Sequence, residues 1–232
     1  MRTVAVCRWW GGKDWDRAAA VLAGSLRRHC PEWGQSFAEL RHPPSSKIIG
    51  NSLKLASWAD ALDHLPNGLR VVLLDADLFV RAPLDPIWEE DFDIAITARP
   101  EGARYPFNCG VVALRLSNVT RAAIREWQRM DARLWRDRPL LAKWRAKYGG
   151  INQAALGALL ESGSLSDLRI RPLPCAVWNC EDSTWANSEN ARIVHLKDNL
   201  GRCALGYRTN LQPQVQALAD EWRRAEKELT NG

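Results

Sequence analysis

Hydrophobic residues occur along the chain in two alternating patterns. Short runs that are continuously apolar, or that alternate with polar residues, are typical of strands, and the run at residues 70–75 is continuously apolar, as expected where helices bury both faces. The predicted strands cover residues 4–7, 37–41, 70–75, 92–96, 107–114, 168–172 and 192–196. Between them, apolar residues recur at helical spacings, which predicts helices over residues 16–29, 51–62, 118–130, 139–148, 152–160 and 213–229.

Strands that alternate with helices are typical of an α/β fold, and we expect a central mixed, mainly parallel sheet flanked by helices. The 232 residues fit one domain, predicted over residues 1–232, and no internal repeat or linker interrupts them. The second helix is predicted to begin at a cap near Asn51 or Ser52, after a loop imposed by Pro43 and Pro44.

The composition is that of a folded, water-soluble protein, with 46% hydrophobic and 25% charged residues. No apolar run approaches the roughly 18 residues of a spanning helix, and the apolar stretch after Met1 is too short for a secretory signal. The six cysteines include no Cys-x-x-Cys pair, so a zinc site or a disulfide framework is poorly supported. We therefore expect reduced thiols and a cytoplasmic location.

The net charge of +5 is concentrated in one part of the chain. Residues 115–147 hold ten basic and three acidic residues, and Trp127, Trp135 and Trp144 are interleaved with the arginines. A basic face with aromatic residues is expected of a surface that binds a nucleic acid or another polyanion. The alternative, which is more common for such charge runs, is a solvated helical face whose tryptophans point into the core.

Asp75 and Asp77 follow the most apolar strand, at the end where α/β sheets gather their ligands. Two carboxylates one residue apart cannot both enter the core unpaired, so a bound cation is a natural partner. Mg²⁺ and related divalent cations are held by one or two carboxylates together with substrate phosphates. The alternative is that the two aspartates simply end the strand and cap the next turn.

The motif around this pair resembles that of nucleotide-sugar glycosyltransferases of the GT-A fold. The resemblance covers residues 71–80, Val-Val-Leu-Leu-Asp-Ala-Asp-Leu-Phe-Val, and continues over residues 82–88, where family members place a short helix over the loop. Within this family, the motif is most similar to that of glycogenin-like and related small bacterial or phage transferases. It implies a single GT-A (Rossmann-like) domain, a nucleotide-sugar donor that is most often UDP-linked, and a Mn²⁺ or Mg²⁺ cofactor near Asp75, Ala76 and Asp77.

Three later segments resemble further landmarks of this family in the same order. They are Phe107-Asn108-Cys109-Gly110-Val111, Gly150-Ile151-Asn152-Gln153 and Ile193-Val194-His195-Leu196-Lys197. The resemblance places Asn108, Asn152 and Gln153 at the donor sugar, and Gly110 where the backbone approaches the donor closely. It makes His195 the third metal ligand and brings Lys197 to the diphosphate. Read alone, Asn108 is a turn residue and His195 a hydrogen-bonded core histidine.

The first strand and second helix add candidates for donor binding. Arg8, Trp9 and Trp10 follow the first strand, where family members bind the nucleotide base, and they offer a cation and stacking faces. Lys54 lies on the helix before the central strand, where related enzymes carry a basic residue that faces the donor. The alternatives are a packing role for Trp9 and a solvated side chain for Lys54.

The chain also departs from the family pattern. Asn152 stands where an aspartate is more usual, and residues 198–202 replace the family's glycine, lysine, proline and tryptophan run, which leaves a contact of Arg202 with the diphosphate open. The stereochemical course is likewise open, with Glu181 and Asp182 as possible bases.

The sequence thus predicts a metal-dependent glycosyltransferase, whose acceptor is a polyanion such as modified-base DNA or a phosphorylated glycan, or else another glycan or a protein. A non-catalytic nucleic-acid-binding domain on a transferase-like scaffold is the main alternative. A sugar-nucleotidyltransferase is a second one, with Gly11-Gly12-Lys13 as a faint phosphate loop.

Overall fold

A computed structural model describes residues 2–41, 44, 46–208 and 212–230. Its strands are β1 (Thr3–Trp10), β2 (Gly34–Leu40), β3 (Arg70–Leu74), β4 (Leu78–Val80), β5 (Ile94–Ala98), β6 (Phe107–Arg115), β7 (Ile170–Pro174) and β8 (Ile193–His195). Its helices are α1 (Lys13–His29), α2 (Lys47–Asp63), α3 (Asn118–Arg136), α4 (Arg138–Tyr148), α5 (Ile151–Glu161), α6 (Cys175–Trp178), α7 (Asp198–Ala204) and α8 (Pro213–Thr230). Two short 3₁₀ helices cover Asp85–Glu89 and Trp185–Asn190.

Six strands form one sheet in the order β2-β1-β3-β6-β5-β7. β6 runs antiparallel to both of its neighbours, and the other three strand pairs are parallel. A small second sheet pairs β4 with β8 in the antiparallel sense. This arrangement confirms the predicted α/β fold with a mixed, mainly parallel sheet.

Both faces of the central strands are buried, which explains their continuous apolar sequences. Alternate residues of β3 face opposite sides, so that Leu73 packs in one core and Leu74 in the other. The first core is closed by α2, α3 and α5, with Trp58 and Trp127 fully buried among them, and the second by α1. Because β1, β3 and β5 all run in the same direction, their carboxyl ends lie at one edge of the sheet.

Several predicted boundaries were wrong for local reasons. α2 begins four residues earlier than predicted, because Ser46 rather than Asn51 or Ser52 provides the cap and its hydroxyl accepts the N–H of Ile49. The first strand is longer than the predicted residues 4–7, since β1 extends through Trp9 and Trp10. Of the predicted loop before α2, Pro43 lies outside the described residues.

The elements that the pattern did not predict are short or non-local. β4 has three residues and is defined by its pairing with β8, more than 100 residues away. The 3₁₀ helix at Asp85–Glu89 fits the short helix expected over the loop after the acidic pair.

All six cysteines are buried and free. In the described part of the chain, no helix is both long and apolar enough to cross a membrane.

The basic stretch at residues 115–147 divides into two parts. Trp127 lies in the core and donates its indole N–H to the backbone carbonyl of Asn152, as the structural interpretation expected. Trp135 is 39% exposed.

The earlier arginines of the stretch contact other parts of this chain. Arg115 donates to the backbone carbonyls of Trp88, Glu90 and Phe92, and Arg121 donates to the carbonyl of Leu65. Arg125 pairs with Asp63, and Arg129 pairs with Glu126. The later cations at Arg133, Arg136, Arg138 and Lys143 are exposed.

Candidate active site and metal centre

Three possible metal ligands converge at the edge of the sheet from distant parts of the chain. Asp75 follows β3, Asp77 precedes β4, and His195 ends β8. The β4–β8 pairing sets Leu78 opposite His195, and the backbone N–H of Leu196 donates to the carbonyl of Asp77 at 2.7 Å. The small second sheet therefore brings the histidine to the acidic pair.

The ligand atoms of these residues are close enough to share one cation. His195 Nε2 lies 3.2 Å from Asp77 Oδ1 and 3.8 Å from Asp75 Oδ2, and ligand atoms of all three residues lie within 4.8 Å of one another. The imidazole is 3% exposed, whereas both carboxylates are about one-fifth exposed and face the cleft described below. Two carboxylates and one imidazole nitrogen form a mixed set that suits Mn²⁺ or Mg²⁺, so the residues present fit the cofactor that the sequence predicts.

Lys54 is a buried partner of this cluster and is not a solvated side chain. It is 6% exposed, forms an ion pair with Asp75, and its Nζ lies 4.7 Å from the ring centroid of Trp58. Burial opposes ionisation of Asp77, but the neighbouring His195 and Lys54 hold the pKa of Asp77 below its ordinary value. Asp77 is therefore ionised at neutral pH and available as a ligand.

Gly110 provides the space that the imidazole occupies. The register of β5 and β6 shifts between Ile96 and Thr97, and residues 109–111 bulge away from β5. The carbonyl of Gly110 accepts the N–H of Asp75 at 2.9 Å, and Asn108 Oδ1 accepts the N–H of Gly110 at 2.7 Å. A Cβ at position 110 would lie 2.7 Å from Cε1 of His195, so that only glycine fits beside the ring.

A cleft of about 630 Å³ opens in front of the acidic pair, a size typical of small-molecule sites. The structure brings every predicted site residue to the wall of this cleft: Arg8, Trp9, Lys54, Asp75, Ala76, Asp77, Asn108, Gly110, Asn152, Gln153, His195 and Lys197. Trp10 lines it as well. Gly11 also lines the cleft, whereas Lys13 and Arg202 are not among the lining residues.

Backbone contacts hold the polar side chains of the cleft in place. Gln153 Nε2 donates to the carbonyls of Phe107 and Tyr148, both at 2.9 Å, which leaves its Oε1 as the remaining acceptor. Asn152 Oδ1 accepts the backbone N–H of Gln153 at 2.9 Å. Arg8 donates to the carbonyl of Cys7 at 2.8 Å and to the hydroxyl of Ser36 at 3.2 Å. These groups are thus preorganised before any ligand binds.

Sequence reasoning missed several cleft residues, of which Arg99 is the most informative. Arg99 follows β5 at the same edge as Asp75, so the rule that pointed to Asp75 would also have found it. Its guanidinium makes two hydrogen bonds to Glu181, at 2.8 and 2.7 Å. Asn51, Tyr105 and Trp15 also line the cleft, and nothing in their local pattern marks them.

The carboxyl groups considered as bases are engaged elsewhere. Burial would raise the pKa of Glu181, but hydrogen bonds from Arg99, Asp182 and Ser183 hold it far below its usual range. Burial and the neighbouring Glu181 raise the pKa of Asp182. Neither residue lines the cleft, and Glu181 instead supports Arg99 and Lys197, whose Nζ lies 3.4 Å from Glu181 Oε2.

Comparison with solved structures shows the same fold in glycosyltransferases. A glycosyltransferase involved in glycosylation of the major capsid of PBCV-1 matches with a TM-score of 0.60 and 11% identity over 95% of this chain and 98% of that one. The galactosyltransferase LgtC, solved with donor and acceptor sugar analogues, matches with a TM-score of 0.63 and 14% identity over 99% and 96%. GlyE of Streptococcus pneumoniae TIGR4 matches with a TM-score of 0.61 and 15% identity, but only 63% of its chain is covered.

No protein-family model and no curated protein sequence matches this chain. The structural matches nevertheless extend over nearly the whole chain, and they confirm the GT-A fold expected from the sequence motifs. At these identities the likeness establishes the fold.

The contact between Gly110 and His195 generates a prediction. We expect Gly110→Ala to weaken Mn²⁺ binding by about 10-fold or more, because the new methyl group displaces the imidazole from the acidic pair. Isothermal titration with Mn²⁺ measures the effect. Gly34→Ala is the matched control, since a Cβ in that strand meets only ordinary contacts at 3.5 Å and beyond. Equal affinity of both variants would show that the ring is not a ligand.

Proposed function

We propose that this protein is a metal-dependent glycosyltransferase that moves a sugar from a nucleotide-sugar donor to an acceptor hydroxyl. The observation that carries the proposal is the convergence of Asp75, Asp77 and His195 on the floor of a ligand-sized cleft. The GT-A fold supports it, because this is the fold of the glycosyltransferases that match the chain. A binding module would need neither a preformed cation site nor the fixed amides around it.

The residues of the cleft divide the work of such a reaction. A divalent cation held by Asp75, Asp77 and His195 would neutralise charge on the departing nucleoside diphosphate. Lys54 and Lys197 place two further cations on the cleft wall, where they attract and orient the phosphates. Gln153 Oε1 is positioned to accept a hydroxyl of the donor sugar, with Asn108 and Asn152 beside it.

The end of β1 is the proposed site for the base of a UDP-linked donor. Trp9 and Trp10 offer ring faces for stacking, and Trp9 is oriented by a 3.0 Å hydrogen bond from Nε1 to Asp16. Arg8, tied to β2 through Ser36, adds a fixed cation beside them. Of the described residues, Asp75 and Asp77 are the carboxylates that line the cleft, and both are assigned to the metal. The described residues that line the cleft therefore offer no further carboxylate that could act as base for an inverting attack.

Donor hydrolysis tests the proposal without knowledge of the acceptor. With Mn²⁺, we expect slow release of free sugar from a UDP-sugar in a panel of UDP-, GDP- and TDP-sugars, and little release after chelation. Asp77→Asn should lower the rate by about 100-fold or more, because the cation stabilises the transition state by several kcal/mol. Asp167→Asn, which changes an exposed aspartate outside the cleft, should leave the rate unchanged. Hydrolysis that persists in Asp77→Asn with the metal chelated would refute the mechanism.

We further propose that the acceptor is a polyanion such as modified-base DNA or a phosphorylated glycan. The support is the group of exposed cations at Arg133, Arg136, Arg138 and Lys143, where α3 ends and α4 begins. Trp135 is exposed among them and donates to Ser52 of α2. α2 also carries Asn51, which lines the cleft, so this basic surface adjoins the site.

Binding of duplex DNA tests this acceptor surface. Replacing Arg133, Arg136 and Arg138 with glutamine should weaken binding and lower the slope of log affinity against log salt by about 2 to 3, because each cation releases about one counterion. The control replaces Arg2, Arg27 and Arg208, which are exposed elsewhere, with glutamine and removes the same charge. Fluorescence anisotropy across a salt series measures both. If the wild type shows no binding at low salt, DNA is not the acceptor.

A further inference from the structure

The buried side of His195 faces a chain of three hydrogen bonds that leads away from the cleft. His195 Nδ1 lies 2.9 Å from Asn179 Oδ1. Asn179 Nδ2 donates to Thr97 Oγ1 at 2.9 Å, and Thr97 Oγ1 donates to the backbone carbonyl of Asn108 at 2.7 Å. None of these four residues is more than 2% exposed, so water does not compete for their polar groups.

The direction of each hydrogen bond follows from the last one. A backbone carbonyl can only accept, so the single hydroxyl proton of Thr97 points at Asn108 and its oxygen offers only lone pairs to Asn179. The atom of Asn179 beside Thr97 must then be the donating Nδ2, which turns Oδ1 toward His195. Because an amide oxygen only accepts, Nδ1 of His195 carries the proton.

We propose that Asn179, oriented by Thr97, is a positioning residue that fixes the proton on Nδ1 of His195 and so reserves Nε2 for a divalent cation. The inference rests on the proposed metal centre and concerns the residues behind it. A reversed amide would donate to Nδ1, move the proton to Nε2 and block the ring as a ligand. In metal sites, loss of such an outer partner weakens metal binding by about 10- to 100-fold.

The fold holds both Thr97 and Asn179 in place through their neighbouring backbone. Thr97 lies where the register of β5 and β6 shifts, and it pairs there with Asn108. The bulge that makes room for the imidazole beside Gly110 thus also sets the hydroxyl of Thr97. Asn179 immediately precedes Cys180, whose N–H donates to Ile193 at 2.9 Å and whose carbonyl accepts the N–H of His195 at 2.8 Å. The backbone next to Asn179 is thereby bonded directly to β8.

Matched substitutions at the two positions separate orientation from packing. Asn179→Leu removes the acceptor, whereas Asn179→Asp keeps an oxygen for the Nδ1 proton. Thr97→Val removes the hydroxyl that orients the amide, whereas Thr97→Ser keeps it. We expect the leucine and valine variants to bind Mn²⁺ about 10- to 100-fold more weakly in isothermal titration without donor, and the aspartate and serine variants to bind close to the wild type. Circular dichroism checks that each variant is folded.

The tautomer itself is read by NMR of metal-free protein labelled with ¹⁵N at histidine, at a pH above the ordinary imidazole range. The chain has four histidines, and the signal missing in His195→Gln assigns the ring. The wild type should show a protonated Nδ1, whatever the state of Nε2 beside Asp77, and Thr97→Val should show a population of rings with an unprotonated Nδ1. An unprotonated Nδ1 in the wild type, or wild-type Mn²⁺ affinity in Thr97→Val, would overturn the inference.

These readouts distinguish failure of the inference from failure of the proposed function. A wild-type protein that binds no Mn²⁺ removes the proposed metal centre. The NMR measurement needs no metal, and in that case the tautomer of the ring decides the role of Asn179 by itself.

Discussion

Two carboxylates held close together at the end of one strand impose the main constraint on this structure. Asp75 and Asp77 carry like charges, and their repulsion is strong because both side chains are partly buried. Positive charge within a few ångströms is needed to offset it. Lys54 supplies one such charge from α2, and the pairing of β4 with β8 brings His195 to the same carboxylates. Elements from three separate parts of the chain are thus committed to one small cluster.

The backbone around the cluster is shaped to hold these groups. The bulge in β6 leaves room for the imidazole only because residue 110 is glycine, and the same irregularity places the hydroxyl of Thr97 behind it. The cations on the cleft wall are supported in a similar way, since the fully buried Glu181 binds Arg99 and also lies near Lys197. The cleft therefore has a rigid polar wall before any ligand binds, which is what catalysis by electrostatic preorganisation requires.

Much of this could be predicted from the sequence, and the failures have physical reasons. Residues 70–77 carry their signal locally, as a buried strand followed by charges, and resemblance to a family located Asn108, Gln153 and His195. By contrast, β4 exists only through its non-local partner β8, and the burial of Lys54 depends on Trp58 and Asp75. Asn179 and Thr97 gave no signal, because their role is a hydrogen-bond direction that only the assembled core defines.

The central claim is that His195 joins the acidic pair as a ligand to one divalent cation. Electron spin echo envelope modulation of the Mn²⁺-loaded protein tests this directly, because a nitrogen bound to Mn²⁺ modulates the echo. We expect coupling to one nitrogen in the wild type and its loss in His195→Gln. A wild-type spectrum without nitrogen coupling, or the same coupling in both proteins, would contradict it.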